Sequence, residues 1–327
     1  MASVEIAVSL GVSPRQPLAG FADQLGELEA AGAGRFWVID SQLAMKDVYI
    51  ALALAAQKTS TALLGTGVTN PRTRHPTVTA SAIAALAELA PGRTALGVGA
   101  GDSAVYGIGL KPARVAEIEA ALTFFREVLA GREADWEGRR YRLPAPPAAP
   151  VPVYLAVSQP RMCGVAGRLA DGAIVMGPSD PGWVELQVGW IEEGIRAAGR
   201  RRADVDITLM TTLTPTLEQV RSWASTQARL LADFRSLPAG LERFSEEIRL
   251  AKQAYDFGEH LSVRAGHQAA VSDDLARALA VTGPAESCAE RLRALRSTGA
   301  DSFIFPLAGG GRLERLRFIR DEVLPLI

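Results

Sequence analysis

Short apolar runs alternate with helical patterns along almost the whole chain. Each run is rich in Val, Ile, Leu and Ala, and apolar residues spaced three and four apart follow it. The eight predicted strands are residues 4–10, 36–39, 62–68, 94–99, 153–157, 173–176, 205–213 and 302–307. Strands that are apolar on both faces are typical of a parallel sheet covered by helices. Eight strand–helix units therefore predict an α/β fold, a (β/α)8 TIM barrel, rather than an open doubly wound sheet.

Two segments interrupt this alternation. Residues 136–141 have the pattern of a small hairpin that turns at Gly138. Residues 217–279 are helical in several pieces and are longer than one crossover helix requires, so we predict a helical insertion between strands 7 and 8. With this insertion, residues 1–327 are predicted to form a single barrel domain.

Composition narrows the choice of partners and location. Lys and Arg number 35 against 36 for Asp and Glu, which leaves no basic field for nucleic acid or an anionic membrane surface. The two cysteines have no metal spacing and form no disulfide framework, so both are expected to be buried thiols. The N-terminus lacks a signal-peptide pattern and no apolar stretch has membrane-spanning length, so we expect a cytoplasmic protein.

Polar residues and glycines gather where the predicted strands end, which is where barrels of this class place their active sites. These strand-end residues are Ser9, Asp40, Ser41, Gln42, Thr66, Gly67, Val68, Thr69, Asn70, Gly99, Gly101, Asp102, Ser103, Ser158, Gln159, Met176, Gly177, Thr212, Thr214, Phe305 and Pro306. They include no Cys or His cluster for a metal and no nucleophile–His–acid set. The pattern indicates a site that holds a cofactor with its own chemistry.

Several of these residues also have a purely structural explanation. Asp40 could cap the second helix or act as an acceptor at the barrel mouth. Gly67 and Gly101 could serve turns or could let the backbone approach a flat ring. Ser158 and Gln159 open a helix, whose free N–H groups could be capped by the protein or could bind a phosphate.

Two glycine-containing stretches resemble motifs of a known family. The run Gly-Thr-Gly-Val-Thr-Asn-Pro-Arg-Thr-Arg-His-Pro at residues 65–76 and the run Gly-Val-Gly-Ala-Gly-Asp at residues 97–102 resemble the bacterial-luciferase-like superfamily. Within it, the nearest group is the methylene-tetrahydromethanopterin reductase type. Further agreement lies at residues 154–160, 170–172, 255–260 and 281–286. The resemblance covers nearly the whole chain, and its motifs are specific for the superfamily rather than for one substrate.

The resemblance implies a (β/α)8 barrel, a homodimer, and coenzyme F420 (first choice) or FMN at the strand ends. It also implies a non-proline cis peptide bond near Gly67-Val68, which supports one face of the cofactor ring. The implied cofactor-binding residues are Asp40, Thr66, Gly67, Val68, Asn70, Gly101, Asp102 and Ser103 at the ring and its polyol chain, Ala156, Val157, Ser158 and Gln159 at the phosphate, and Gly177 close by.

One position departs from the reductase pattern. Ser9 ends the first strand where the resemblance leads us to expect a carboxylate near the pterin, which argues against pterin reduction. No residue is assigned as the catalytic acid or base. His75 is expected to brace its loop, and His260 matches a family motif but lies in the insertion.

Three functions are compatible with these residues. The first is an oxidoreductase that transfers hydride between reduced F420 and an unsaturated or carbonyl-like small molecule. The second is an FMN-dependent two-component monooxygenase, because a deazaflavin does not readily activate O2. The third is a non-catalytic ligand-binding barrel, which predicts that the strand-end polar residues pack against side chains and leave no open pocket.

Overall fold

A closed barrel of eight parallel strands forms the centre of the protein. The computed structural model describes residues 5–237, 239–256 and 265–327. The barrel strands are β1 (Ile6–Leu10), β2 (Ala33–Val38), β3 (Leu63–Thr66), β4 (Thr94–Val98), β5 (Val153–Val157), β6 (Gly172–Val175), β7 (Asp206–Met210) and β8 (Ser302–Pro306). They follow one another around the barrel in chain order, and every neighbouring pair is parallel. The predicted (β/α)8 barrel is confirmed; Val4, in the first predicted strand, lies outside the described residues.

Helices cover the outside of this barrel. They are α1 (Leu18–Ala30), α2 (Val48–Ala56), α3 (Pro76–Leu89), α4 (Ser103–Tyr106), α5 (Val115–Leu129), α6 (Pro160–Leu169), α7 (Pro181–Ala197), α8 (Arg221–Leu231), α9 (Ser245–Ala254), α10 (Asp273–Leu279), α11 (Ala285–Arg296) and α12 (Arg312–Arg317). Asp47 caps α2 by accepting from the N–H groups of Tyr49 and Ile50 at 3.0 Å. Within the described part of the chain, no helix is both long and apolar enough to cross a membrane.

Two strand boundaries differ from the sequence prediction by three residues, more than any of the others. β2 begins at Ala33, because Gly34 continues the strand where the pattern indicated a helix stop. β7 ends at Met210, whereas the prediction extended this strand to residue 213. Leu213–Thr214 instead form a separate short strand that pairs in parallel with Val281–Thr282. The sequence pattern of residues 205–213 therefore did not reveal that its last residues pair with a different strand from the first ones.

The insertion between β7 and β8 is helical, as predicted, in the residues described. It contains α8, α9 and α10, which pack against one another and on the barrel. Short 3-10 turns lie at Leu217–Val220, Glu242–Phe244 and Gly266–Ala270. Pro238, a predicted helix break, and residues 257–264, which include His260, lie outside the described residues. Apolar residues of α8 and α10 share one hydrophobic cluster with barrel residues such as Met210 and Ile304.

The predicted hairpin is present and explains the role of a histidine. Ala134–Trp136 and Arg139–Tyr141 pair antiparallel. His75 packs edge to face against the Trp and Tyr rings of this hairpin, with centroids 6.3 and 6.0 Å away. Its Nδ1 also accepts from the N–H of Thr77 at 3.3 Å and so caps α3. His75 therefore braces its loop, as predicted.

Polar contacts fill the barrel at the amino ends of its strands. Arg35 on β2 donates to Asp206 on β7 at 2.7 Å, and the Tyr154 hydroxyl donates to the same carboxylate at 2.8 Å. Arg35 also pairs with Glu5 at 2.6 Å. The fully buried ring of Trp37 packs edge to face on Tyr154, with centroids 4.9 Å apart. This end of the barrel interior is therefore filled by side chains among the described residues.

Both cysteines are buried, as predicted from their helical apolar surroundings. Burial raises the pKa of the Cys163 thiol to about 12 and that of Cys288 to about 11. Since a thiol reacts as its thiolate, neither cysteine is a nucleophile at neutral pH.

Glu29 ties α1 to the loop that precedes β3. Its carboxylate accepts from the N–H groups of Ser60, Thr61 and Ala62 at 2.9, 2.8 and 2.7 Å. Partial burial acts to raise the pKa of Glu29, but the hydrogen bonds from these three N–H groups outweigh it and lower the pKa below its usual 4.5. The ionised carboxylate is therefore the form that stabilises the fold.

We expect Glu29→Gln to lower the free energy of unfolding by about 1–2 kcal/mol at neutral pH, because charge-assisted hydrogen bonds are lost. A pKa that is lower in the folded state gives stability above the unfolded pKa, which is lost as pH falls through the folded pKa. Urea unfolding should therefore show a difference between wild type and variant that shrinks on acidification. The exposed Glu27→Gln is the control, and an equal loss at acidic and neutral pH contradicts the assignment.

Candidate active site

A cavity of about 300 Å³ lies at the carboxyl ends of the strands, between the barrel and α8. The barrel side of its lining consists of Ser9, Ile39, Asp40, Gly67, Val68, Asn70, Gly99, Ala100, Gly101, Asp102, Ser103, Ala104, Tyr106, Pro112, Ala156, Val157, Ser158, Ile174, Met176, Met210 and Pro306. The insertion adds Trp223, Thr226, Arg229, Leu230 and Asp233. This is the end of the barrel at which the sequence predicts the site.

Most of the residues predicted to bind a cofactor meet in this cavity. Those that line it are Asp40, Gly67, Val68, Asn70, Gly101, Asp102, Ser103, Ala156, Val157 and Ser158. Thr66, Gln159 and Gly177 do not line it. The buried hydroxyl of Thr66 donates to the C=O of Gly97 at 2.8 Å and accepts from its N–H at 3.0 Å, so Thr66 joins β3 to β4 beneath the cavity. Gly177 packs against Trp183.

The floor of the cavity is the irregular segment after β3. The peptide bond between Gly67 and Val68 is cis, as predicted. Added Cβ atoms at Gly97 and Gly99 would lie 3.1 and 2.8 Å from the γ-carbons of Val68. A Cβ at Gly67 would lie 2.6 Å from the Cβ of Trp37. Because these glycines leave room, the Val68 side chain can rest on β4 and present an apolar surface to the cavity.

Backbone hydrogen bonds hold this floor between the two neighbouring strands. The N–H of Gly67 donates to the C=O of Val38 at 2.7 Å. On the other side, the N–H of Thr69 donates to Gly97 at 2.9 Å, and the N–H of Gly99 donates to the C=O of Thr69 at 2.8 Å. The segment is irregular in path but is hydrogen-bonded on both sides, so the floor is part of the rigid barrel.

Asp40 is a buried carboxylate at the cavity edge. It accepts from the Thr69 hydroxyl and from the Arg74 guanidinium, both at 2.7 Å. Arg74 also reaches Asp47 at 2.7 Å and lies 4.8 Å from the centre of the Tyr49 ring. Because Asp47 caps α2, the alternative explanation of Asp40 as the cap is wrong. Asp40 instead anchors the loop after β3 through a cation.

Asn70 combines a turn with an available donor. Its Oδ1 accepts from the N–H groups of Arg72 and Thr73 at 3.0 Å. Its Nδ2 is buried and has no hydrogen-bond partner in the described chain. Gly101, at φ +90°, lies beside it, and a Cβ there would be 3.5 Å from the Asn70 side chain. An unpaired amide donor in the wall of a cavity suits the polar edge or side chain of a ring ligand.

Two loops are joined above this wall. The hydroxyl groups of Ser41 and Ser103 lie 2.8 Å apart, and the Gln42 amide donates to the C=O of Ala104. Ser41 and Gln42 follow β2, whereas Ser103 and Ala104 begin α4 after β4. Ser103 therefore both lines the cavity and holds the rim together.

The start of α6 lies next to Ser158. The N-cap residue Gln159 makes no side-chain hydrogen bond that caps this helix, which begins at Pro160. Gln187 holds the preceding loop by donating to the C=O groups of Ser158 and Met176 at 3.1 and 2.9 Å. The amide nitrogen of Gln159 is buried and has no partner among the residues described. An uncapped helix start beside an unpaired donor suits a phosphate group.

The roof of the cavity is formed by α8, and the sequence did not predict it. Trp223, Thr226, Arg229 and Leu230 lie on one face of α8, three and four residues apart. Arg229 is only 4% exposed; it donates to Asp102 and lies 3.9 Å from Asp233. A buried arginine within the apolar stripe of a helix was the available signal, because such a charge requires partners from elsewhere.

The ion pair of the roof affects protonation at the cavity mouth. Burial raises the pKa of Asp102, Arg229 opposes this rise, and Asp233 adds to it. Burial also raises the pKa of Tyr106, with further contributions from Asp233 and Asp102. Asp102 therefore binds protons more readily than an ordinary aspartate, and the Tyr106 phenol stays protonated at neutral pH.

The cavity suits a flat ring with a phosphate-bearing chain. Its lining offers an apolar floor and the amide donor of Asn70, which has no partner in the described chain, and the described lining contains no nucleophile–base pair. The start of α6, where the Gln159 amide also has no partner among the described residues, lies next to this lining. The fold and this site together define a TIM-barrel oxidoreductase that relies on a bound cofactor. The chain belongs to the luciferase-like monooxygenase family, whose model matches residues 2–302.

Related proteins agree with this family assignment. A 5,10-methylenetetrahydromethanopterin reductase from Methanolobus tindarius is 28% identical over 330 residues, covering 95% of this chain and 97% of the relative. An F420-dependent glucose-6-phosphate dehydrogenase from Nakamurella multipartita is 30% identical over 294 residues, covering 84% and 80%. The resemblance predicted from the sequence is therefore confirmed.

Solved structures share the fold. The coenzyme F420 dependent tetrahydromethanopterin reductase from Methanopyrus kandleri matches with a TM-score of 0.79 at 24% identity, over 99% of both chains. The oxygenating constituent of 3,6-diketocamphane monooxygenase from Pseudomonas putida, in complex with FMN, matches with a TM-score of 0.69 at 17% identity, also over 99% of both chains.

Removing the cation beside Asp40 should destabilise the fold. We expect Arg74→Met to lower the free energy of unfolding by about 3 kcal/mol, because it leaves a buried carboxylate without its cation. The double variant Arg74→Met/Asp40→Asn should recover most of this loss in denaturant unfolding. Arg72→Met is the matched control, since its partner Glu117 is more exposed. A double variant no more stable than Arg74→Met contradicts the assignment.

Proposed function

We propose that the protein is a hydride-transferring oxidoreductase that uses coenzyme F420 and acts on an unsaturated or carbonyl-like small molecule. The observation that carries the proposal is the cavity itself, with an apolar floor at Val68 and an unpaired amide donor at Asn70. Support also comes from relatives and solved structures whose names state F420 dependence. The resemblance further supports a single barrel domain, a homodimer and a cytoplasmic location as parts of this proposal.

The chain's own residues divide the task of holding the cofactor. Val68 supports one face of the ring, and Gly101 lets the backbone approach its edge. Asn70 donates to the ring or to its polyol chain through Nδ2. The N–H groups after Ser158 and the amide of Gln159 receive the phosphate at the start of α6, where the helix dipole favours negative charge.

When bound, a deazaflavin exchanges two electrons and one proton, as hydride, with a substrate carbon, while a second proton moves between substrate and solvent. The protein's residues position the cofactor and the substrate and shield the reacting atoms from water. With Val68 supporting one face of the ring, the substrate would approach from the side of α8. Trp223 and Leu230 on that helix exclude water from the reacting atoms.

The second candidate is an FMN-dependent monooxygenase that acts with O2. The description of the family model and the FMN-bound solved structure favour it. The third candidate, a barrel that binds a ligand without catalysis, predicts no open pocket at the strand ends. The cavity of about 300 Å³ argues against it.

Titration with F420 and FMN, each oxidised and reduced, separates these candidates. We expect quenching of F420 fluorescence at micromolar protein or below, and no comparable binding of FMN. FMN binding without F420 binding would select the monooxygenase. Binding of neither cofactor would reject both enzymatic candidates.

Asp102→Ala should weaken F420 binding about tenfold, or about 1.4 kcal/mol, because a polar contact at the mouth is lost. Circular dichroism should show that the barrel stays folded. Asp204→Ala, at a partly exposed carboxylate just before the amino end of β7 and so away from the carboxyl ends of the strands, is the control and should leave F420 binding unchanged. If Asp102→Ala unfolds the protein instead, the role of Asp102 is structural.

A further inference from the structure

The charged groups in the cavity lining are mostly negative. Among the described residues that line it, the carboxylates are Asp40, Asp102 and Asp233, and the guanidinium is that of Arg229. Asp40 is neutralised by Arg74, which pairs with it from outside the lining at 2.7 Å. The charged groups that a substrate would meet are therefore Asp102, Asp233 and Arg229.

Arg229 is committed to partners within the protein. It donates to Asp102, lies 3.9 Å from Asp233, and its guanidinium stands 5.3 Å from the centre of the Tyr255 ring. Lys252, a further cation of the cluster, pairs with Asp233. Both cations are thus already engaged with carboxylates, and a ligand anion would have to compete for them.

The remaining wall is largely apolar. Its apolar side chains include Ile39, Val68, Ile174, Met176, Met210, Trp223 and Leu230. The Thr226 hydroxyl donates to Ser222 at 3.0 Å and lies 3.1 Å from the Tyr255 hydroxyl. The Ser9 hydroxyl, at the end of β1, is a small uncharged group suited to a carbonyl oxygen. A cavity of about 300 Å³ is at the lower end for ligand sites, so little room is left beside a tricyclic ring.

We propose that this site selects a small, uncharged, mainly apolar carbonyl compound, or the alcohol formed from it, and rejects phosphorylated and carboxylated substrates. The inference rests on the proposed function, since the substrate shares the cavity with the cofactor. In the reductive direction the carbonyl carbon gains hydride from reduced F420 and the oxygen gains a proton from solvent. In the oxidative direction the alcohol carbon gives up hydride to oxidised F420 and the alcohol oxygen releases its proton to solvent.

Desolvation is the physical reason for this selectivity. A phosphate that enters the cavity must take Arg229 away from Asp102 and Asp233. That exchange leaves Asp102 partly buried without its cation, whereas Asp233 keeps only Lys252. The loss at Asp102 costs more than the new pair returns. A ketone makes no such demand, because it needs one hydrogen bond and apolar contact. The geometry thereby separates this chain from relatives named as glucose-6-phosphate dehydrogenases.

Ligand binding can be measured without turnover. The protein is first saturated with oxidised F420, which is checked by fluorescence, and then titrated with cyclohexanone, inorganic phosphate or glucose 6-phosphate under ligand-observed NMR. We expect saturation transfer to cyclohexanone and no phosphorus line broadening for either phosphate. Phosphate or sugar phosphate binding about tenfold tighter than the ketone overturns the inference.

Variants that release Arg229 provide a gain-of-function test. Asp233→Asn should raise the affinity for inorganic phosphate about threefold, and Asp102→Asn about tenfold, because each removes a competitor for the guanidinium. Lys252→Gln is the matched control, since it alters the same cluster without freeing Arg229, and should leave phosphate binding unchanged. Phosphate affinity that stays at the wild-type level in both aspartate variants, with F420 still bound, contradicts the inference. If Asp102→Asn does not fold, Asp233→Asn still decides.

The two proposals fail in different ways. Loss of the proposed function appears in the first step, as no binding of F420. The substrate inference is contradicted only in the second step, if the F420-loaded protein binds the phosphates more tightly than the ketone.

Discussion

Close packing of the β3 and β4 backbones against each other and against the Trp37 ring of β2 is the constraint on which the site depends. A Cβ at Gly65 would lie 2.8 Å from the Trp37 ring, and one at Gly97 would lie 2.1 Å from the C=O of Thr66. Protein interiors are too dense to absorb such contacts, so these positions must lack side chains. Val68 rests in the space left at Gly97 and Gly99, and the apolar floor follows from this.

The roof is built by a different kind of interaction. Asp102 belongs to the barrel and Arg229 to the insertion, and their ion pair spans the mouth of the cavity. The inner half of the cavity is thus determined by backbone geometry, and the outer half by side-chain charge. In such an arrangement, the floor tolerates little change, while exchanges on α8 alter the lining of the cavity.

Sequence patterns over short segments predicted those features that depend on neighbouring residues in the chain. The eight strands follow from continuous apolar runs, because both faces of a parallel sheet are covered. His75 acts as a brace, as its position between an arginine and a proline at a helix start indicated. Thr66 was placed at the ring, but its hydroxyl turns to Gly97, because a strand pattern buried on both faces does not reveal which way a side chain points.

By itself, the sequence determined the barrel and the crowding of polar groups at the strand ends, and the cis bond at Gly67-Val68 was implied by the family resemblance. Only the tertiary structure decided the roof, since Asp102 and Arg229 are 127 residues apart in the chain. The physical reason is that helical periodicity states which face of α8 is buried but not against what. A buried charge indicates that it has a partner. Which residue is that partner depends on how the insertion packs on the barrel.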